Sequence, residues 1–324
     1  MRAHVTALGS AVGSSVLAYL LLTGLSGDHG QVALLVVVWT IALTGLNLIQ
    51  GLGGYPNLAH AAFFGGGAYL SAVLLDEGLP MTVAALLAVA GVMVVGLVVA
   101  LVFSRTRGQY FAIGTLFFTA VATLVFTNAA DFTGGPNGRP VALGYSLEAT
   151  VVLLAASVGV GLALFHWASV SRFGDRLRAI RADEDLAQHV GVPTARVKLL
   201  AMVCSAGAAA WAGVLFGQYN GVVAPSQFAF GQSFLMFVAL GLGGAGRLLG
   251  PAVGAAVVIG LTQLLTLGPG VSQIVLGVLF ILVTLLAPEG VLGGVSALAR
   301  RVRAIRSDRS DRSDRSVRGE GAVA

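Results

Sequence analysis

The chain has 324 residues, 56% of them hydrophobic and only 10% charged, with 45 glycines and a mean hydropathy of +0.89. A soluble globular domain carries about 25% charged residues, so a water-facing fold is excluded for most of this chain. The net charge of +5 is crowded towards the C-terminal end, and the single Cys204, set in an apolar stretch, excludes a disulfide framework and reads as a packing residue.

Apolar runs lie near 11–26, 31–50, 57–75, 82–103, 109–128, 149–168, 197–219, 228–243, 251–267 and 271–288. A helical span needs about 20 residues, with about 17 as a lower limit, so the pattern predicts an all-α integral membrane protein with about ten transmembrane helices. The first run follows Arg2 and ends in Gly24-Leu25-Ser26, a poor cleavage signal with a second span directly behind it. It reads as a signal anchor in preference to a cleaved signal peptide. Glycine, proline and polar residues interrupt 57–75 and 228–267, which admits broken or re-entrant helices there, tolerated where protein or a water-filled cavity covers them. Gly213, Gly217 and Gly221 recur at four-residue spacing, as do Gly250 and Gly254, and predict helix-packing faces.

Three parts follow: an N-terminal span and short external loop at 1–30, a core at 31–295, and a tail at 296–324. The tail repeats Arg-Ser-Asp triplets, cannot bury a core and is expected to be disordered. Asp308, Asp311 and Asp314 cancel much of its charge and no aromatic residue is present to stack on bases, so membrane lipid, not nucleic acid, is its expected partner. With the N-terminus inside and ten alternating spans, every Lys and Arg except Arg139 falls on the cytoplasmic side, and both termini are cytoplasmic. The opposing loops hold Asp28, Asp76, Glu77, Asp131 and Glu148.

No Asp or Glu falls well inside a run, Glu289 lying at an end, which argues against a proton-driven pump but leaves sodium coupling through backbone carbonyls open. Lys198 is the one lysine and Leu199 follows it, so no G-x-x-x-x-G-K-[ST] phosphate loop exists. If ATP drives this chain, another subunit binds and hydrolyses it; no cofactor or catalytic residue is expected here. Gly241, Gly243 and Gly246 satisfy G-x-G-x-x-G, but the preceding run is membrane-like and the next acid is Glu289. The segment therefore reads as a glycine-rich turn between packed spans. His60 and His166 have no second ligand at i+3 or i+4, so hydrogen-bonded packing is expected and a metal site is not.

Between 172 and 191 the chain reads as a short amphipathic helix. Leu177, Ile180, Leu186, Ala187 and Val190 form an apolar stripe interrupted by Asp183 and Glu184, and Gly191 and Pro193 end it. Such a helix can lie on the membrane surface or dock into a partner.

Several segments together resemble the LivM-type permease of branched-chain amino acid ABC transporters. They are Leu46-Asn47-Leu48-Ile49-Gln50-Gly51 with Gly54 to Gly65, Arg105 to Leu116, Thr133-Gly134-Gly135-Pro136-Asn137-Gly138, Ser171 to Ala201, and Leu240 to Pro251. The match covers roughly 40–295 and departs from the family pattern at Pro56-Asn57 and at Pro136 to Arg139.

The resemblance implies an ABC importer permease fold and a channel-forming subunit in a bacterial cytoplasmic (inner) membrane, working by alternating access. Its expected partners are a homologous LivH-type permease, two ABC ATPase subunits and a periplasmic or lipid-anchored solute-binding protein. The expected solutes are branched-chain amino acids or similar small polar molecules. Urea or amide permeases of the same superfamily are one alternative, and an ATP-independent sodium-coupled carrier is another. It also turns 172–191 into a coupling segment, with Leu177 and Ile180 on the docking face and Arg178, Asp183, Glu184 and Gly191 around it. Candidate path-lining groups are Asn47, Gln50, Asn57, His60, Thr115, Thr119 and Asn128, each of which can instead satisfy a neighbouring helix's backbone. Thr133, Gly134, Gly135, Asn137 and Gly138 form the expected external loop.

Overall fold

Helix α2 (Asp28–Leu46) runs into a π-helical turn at Asn47–Leu52, and both are largely buried because every neighbouring helix leans on them. It follows α1 (Arg2–Gly24), whose apolar part is Val12–Gly24. After an irregular stretch at 53–59 come α3 (His60–Asp76), α4 (Met81–Phe103) and α5 (Gly108–Asn128). A compact turn region follows, with α6 (Ala130–Thr133), a 3-10 turn at Gly135–Asn137 and strand β1 (Arg139–Pro140). Next are α7 (Leu147–Val170), α8 (Arg172–Ala182), α9 (Glu184–His189) and α10 (Thr194–Asn220). Strand β2 (Val222–Val223), a 3-10 turn at Pro225–Phe228, α11 (Phe230–Gly243) and α12 (Gly250–Leu264) follow.

The computed structural model describes residues 2–24, 28–103, 106, 108–264, 274–275, 277–278, 281–282, 285 and 290–294. The tail at 296–324, Arg105, Arg107, Glu289 and most of the expected 271–288 span lie outside the described residues. Within them, six helices are long and apolar enough to cross a membrane: His29–Leu52, Met81–Phe103, Gly108–Asn128, Leu147–Val170, Thr194–Asn220 and Pro225–Gly243. Shorter apolar helices stand beside them, including α3, of 17 residues, and the apolar stretch Gly250–Gln263. The expected 57–75 span thus begins at His60, after an irregular stretch, and 228–267 resolves into two helices joined by a turn. Among the described residues the regular structure is helical apart from the two-residue antiparallel pairing of Arg139 with Val223 and Pro140 with Val222.

The centre is α10, whose 27 residues extend about 40 Å at 1.5 Å per residue. It packs on α2, α3, α4 and α7, and small residues set how closely. A Cβ on Gly213 would run into the Phe64 carbonyl, and one on Gly67 would stand 2.6 Å from Cα of Ala210. Gly96 meets Ala206 and Gly45 meets Ala208 in the same way. In lipid there is no hydrophobic drive between helices, so association depends on this close van der Waals approach. Gly250 and Gly254 do the same for α11 and α12, against the carbonyls of Gly244 and Ala239.

The third member of the 213-217-221 repeat departs from expectation. Gly221, at φ 69°, caps α10 in the left-handed region and a Cβ there would meet nothing within 4 Å, so it ends a helix and sets no close helix approach. By contrast α4 and α5 turn Leu86, Val98, Val102, Phe117 and Leu124 outwards.

Contacts between loops fix two ends of the bundle. At one end, Arg139 donates to Asp76 from Nε (3.0 Å) and Nη2 (2.5 Å), and its Nη1 donates to the Phe132 carbonyl (2.8 Å). Arg139, the one basic residue expected on the outer side, is therefore neutralised by an acid of that side. Phe228 is driven into the core beside this end, against Phe64, Tyr69, Phe126 and Phe216. The opposite end gathers Gly51, Tyr55, Arg181, Glu184, Lys198, Gly246 and Arg247, through bonds described below.

Candidate functional site

The irregular stretch before α3 is largely buried, so most of its backbone groups need partners other than water. Side chains from two other helices supply them. Thr115 Oγ1 on α5 accepts from the Leu58 amide (3.1 Å), and Thr119 Oγ1 donates to the Leu58 carbonyl (2.6 Å). Ser233 Oγ on α11 accepts from the Ala61 amide (2.8 Å). Asn57 turns its own Oδ1 onto the Ala59 amide (2.9 Å) and points Nδ2 at Met202 sulfur (3.4 Å). His60 sits between the Ala42 carbonyl (2.8 Å from Nε2) and Ser205 Oγ (3.4 Å from Nδ1). Asn57, His60, Thr115 and Thr119 are thus brought together, fully buried, and each holds a broken segment in place.

Asn47 and Gln50 occupy the π-helical turn, a rare geometry that is frequent at functional sites. Asn47 reads the 244–249 turn like a paired strand: its Oδ1 accepts from the Gly246 amide (2.7 Å) and its Nδ2 donates to the Arg247 carbonyl (2.9 Å). Gly241 and Gly243 lie in the last turn of α11, and a Cβ on Gly51 would lie 2.5 Å from the Gly246 nitrogen, so the G-x-G-x-x-G segment runs from a helix end into a tight turn against the π-helical turn. Gln50 differs from its neighbours. Its Nε2 makes a long bond to the Phe237 carbonyl (3.4 Å), and its Oε1 is buried without a hydrogen-bond partner among the described residues. Asn128 stands apart from the group, exposed at the far end of α5 and bonded to its own helix at Leu124 (2.8 Å).

The residues of the expected external loop form a compact turn. Gly134, Gly135 and Gly138 have φ of 77°, 68° and 80°, which L side chains rarely adopt. Thr133 is buried; its Oγ1 donates to the Ala129 carbonyl (2.8 Å) and accepts from the Gly135 amide (3.2 Å). Asn137 is exposed.

The 172–191 segment is two helices, not one. Asp183 adopts an extended backbone (φ −161°, ψ 112°), and its Oδ1 accepts from the Leu186 amide (3.0 Å), capping α9. Capping by a short carboxylate competes with continued helix, so the interruption of the stripe at Asp183 becomes a break. Ser171 caps α8 in the same manner.

That break changes which residues face outward. Leu177, Ile180 and Ala187 are buried in this chain's own core, with Leu177 against Gly53, so the expected docking pair Leu177 and Ile180 roots the segment instead. The outward apolar groups are Leu186 (62% exposed) and Val190 (71% exposed), beside exposed Asp183, Asp185 and His189. Arg178 pairs with Asp175 on the exposed side of α8 (2.7 Å), and Gly191, at φ 87°, ends the outward corner. Arg181 Nη1 donates to the Gly51 carbonyl, tying α8 to the π-helical turn.

Glu184 also leaves the surface. Its side chain is 14% exposed and meets Lys198 Nζ at 2.7 Å, itself 6% exposed, while Tyr55 Oη donates to its other oxygen. Tyr55, Lys198, Arg181, Ser205 and Ser233 were not candidates from sequence. For Lys198 a signal was present, since a lone lysine in the first turns of an apolar helix needs an acid nearby.

A family model described as branched-chain amino acid transport system / permease component matches residues 30–284. The chain is similar to the high-affinity branched-chain amino acid transport system permease protein LivM of Escherichia coli (strain K12). The two are 29% identical over 298 residues, covering 81% of this chain and 69% of that protein. It is also similar to the LivH permease protein of the same strain, 29% identical over 284 residues and covering 79% and 91% respectively. The BraD permease protein of Pseudomonas aeruginosa is 30% identical over 177 residues, 54% of this chain and 55% of its own length.

Proposed function

Since this chain belongs to the branched-chain amino acid transport permease family, a family of multi-pass membrane proteins that are not themselves enzymes, we propose that it forms half of the transmembrane channel of an ATP-driven importer. Similarity to both LivM and LivH supports a second, homologous permease as the other half. Ten helices cross the bacterial inner membrane with both termini cytoplasmic. A solute-binding protein delivers branched-chain amino acids, or small polar solutes like them, near the 129–148 turn. Two ABC ATPases dock on the cytoplasmic side and bind the ATP that this chain has no phosphate loop to hold.

The observation that carries this reading is the two-sided burial of the 172–191 segment. Leu177, Ile180 and Ala187 hold it to the helical core, while Leu186 and Val190 stand free for an apolar groove with Asp183, Asp185 and Arg178 at the rim. A force applied to the outer face therefore reaches the core through packed side chains. On the path, Asn57, His60, Thr115 and Thr119 hold backbone closed, and Gln50 offers the unpartnered acceptor a zwitterion's ammonium can use.

Replacing Leu186 or Val190 with Asp tests the docking face without disturbing the core. An unpaired carboxylate in an apolar groove costs at least about 3 kcal/mol, roughly a hundredfold in Kd. ATPase subunits should stop co-purifying with the permease, and uptake should fall while the permease still reaches the membrane. Full ATPase association in both variants would remove the coupling assignment.

A further inference from the structure

The buried ion pair under the coupling segment has no part in the docking face or the path, yet it ties four separate pieces of chain together. Glu184 is the first residue of α9 and Lys198 stands in the second turn of α10. Tyr55 belongs to the irregular stretch before α3, and its hydroxyl donates to the same carboxylate. Lys198 also donates to the Thr106 carbonyl between α4 and α5 (3.4 Å) and lies 4.8 Å from the centre of the Tyr55 ring. The Tyr55 ring meets Phe111 of α5 edge-on at 5.4 Å.

Lys and Glu are almost never buried unless paired, and a buried pair gives little net stability over apolar residues of the same shape. Its geometry is therefore the feature to explain. Displacing α9 moves the Glu184 carboxylate directly, because Glu184 follows the Asp183 cap on which the helix begins. The carboxylate holds Tyr55, and three residues further on Leu58 is clamped by Thr115 and Thr119. A continuous run of polar and packed contacts thus leads from the outer segment to the broken stretch and to α5.

We propose that Tyr55, Glu184 and Lys198 form a transmission joint, three positioning residues that turn movement of the 172–191 segment into movement of the 53–59 stretch and α5. This rests on the reading of 172–191 as the ATPase-docking segment. A joint of this kind predicts uncoupling, whereas a simple staple predicts instability.

The test uses the complete complex, with both permeases, both ATPases and the binding protein, in proteoliposomes. Three variants are compared: Tyr55→Phe, which removes one hydroxyl; Glu184→Gln; and the double Glu184→Met, Lys198→Met, which keeps the volume and removes both charges. The readouts are ATPase co-purification, binding-protein-stimulated ATP hydrolysis, and leucine taken up per ATP hydrolysed. The expected result is normal ATPase association and continued hydrolysis, with leucine per ATP lowered about fivefold or more, the size of one coupling interaction. An unchanged ratio in Tyr55→Phe, whatever the yield of the other two, overturns the proposal. Failure of the docking reading shows separately, as ATPase association that survives Leu186→Asp.

Discussion

Adding one methyl group to α10 separates two opposite outcomes four residues apart. At Gly213 a Cβ would overlap the Phe64 carbonyl oxygen and lie 2.9 Å from its carbon and 3.1 Å from the Ala68 nitrogen. These are backbone atoms of α3 and cannot rotate away, so α3 and α10 must separate. Overpacking of this kind costs about 1–3 kcal/mol. At Gly217 the same atom meets only Val223 and Val141 side chains, at 3.5–3.9 Å, which is ordinary contact. There Gly→Ala should stabilise by up to about 1 kcal/mol through helix propensity. Thermal unfolding of the detergent-solubilised chain, followed by size-exclusion chromatography after heating, measures both. Gly213→Ala should melt several degrees below wild type and Gly217→Ala at or above it. Equal midpoints for the two variants would refute small-residue contact as the basis of the α3–α10 interface.

Two further outcomes follow from the same structure. Thr119→Val removes the donor that serves the part-buried Leu58 carbonyl, at a cost of about 1–3 kcal/mol, whereas Thr123→Val loses only a bond to its own helix at Thr119 and should be nearly neutral in the same melting assay. In a Cys204→Ala background, a membrane-impermeant thiol reagent should label Leu143→Cys in intact cells and Val190→Cys only after permeabilisation, both positions being well exposed; the reverse pattern would invert the topology.

Elements governed by hydropathy were legible in the sequence, because a membrane span must be both apolar and long. The expected runs 31–50, 82–103, 109–128, 149–168 and 197–219 each fall within a helix of the structure. The glycine pairs at 250 and 254, and Gly213, could be read from spacing alone, since close helix approach leaves few alternatives. Gly221 could not, because a helix-ending glycine and a helix-packing glycine look alike in a four-residue repeat. The 172–191 segment misled for a related reason. Its stripe fits one helix, but Asp183 gains a backbone partner by capping a second, and the break turns Leu177 and Ile180 inward while leaving Leu186 and Val190 outside.

Long-range pairings were the hardest to foresee. The Tyr55–Glu184–Lys198 cluster, the Arg139–Asp76 pair and the bonds from Asn47 to Gly246 and Arg247 join residues between 14 and 200 positions apart, and no local pattern announces them. Most of the candidate path residues bond to backbone groups, Asn47, Asn57, His60, Thr115, Thr119 and Asn128 among them. An irregular buried stretch requires such bonds, whichever solute passes.

Reconstitution decides the central claim most directly. The permease pair and its ATPases are placed in proteoliposomes, with ATP inside and the solute-binding protein outside, and uptake of labelled leucine is followed. The account predicts accumulation that needs ATP, hydrolysis and binding protein together and is indifferent to a sodium gradient. Accumulation driven by sodium without ATP or binding protein would contradict it.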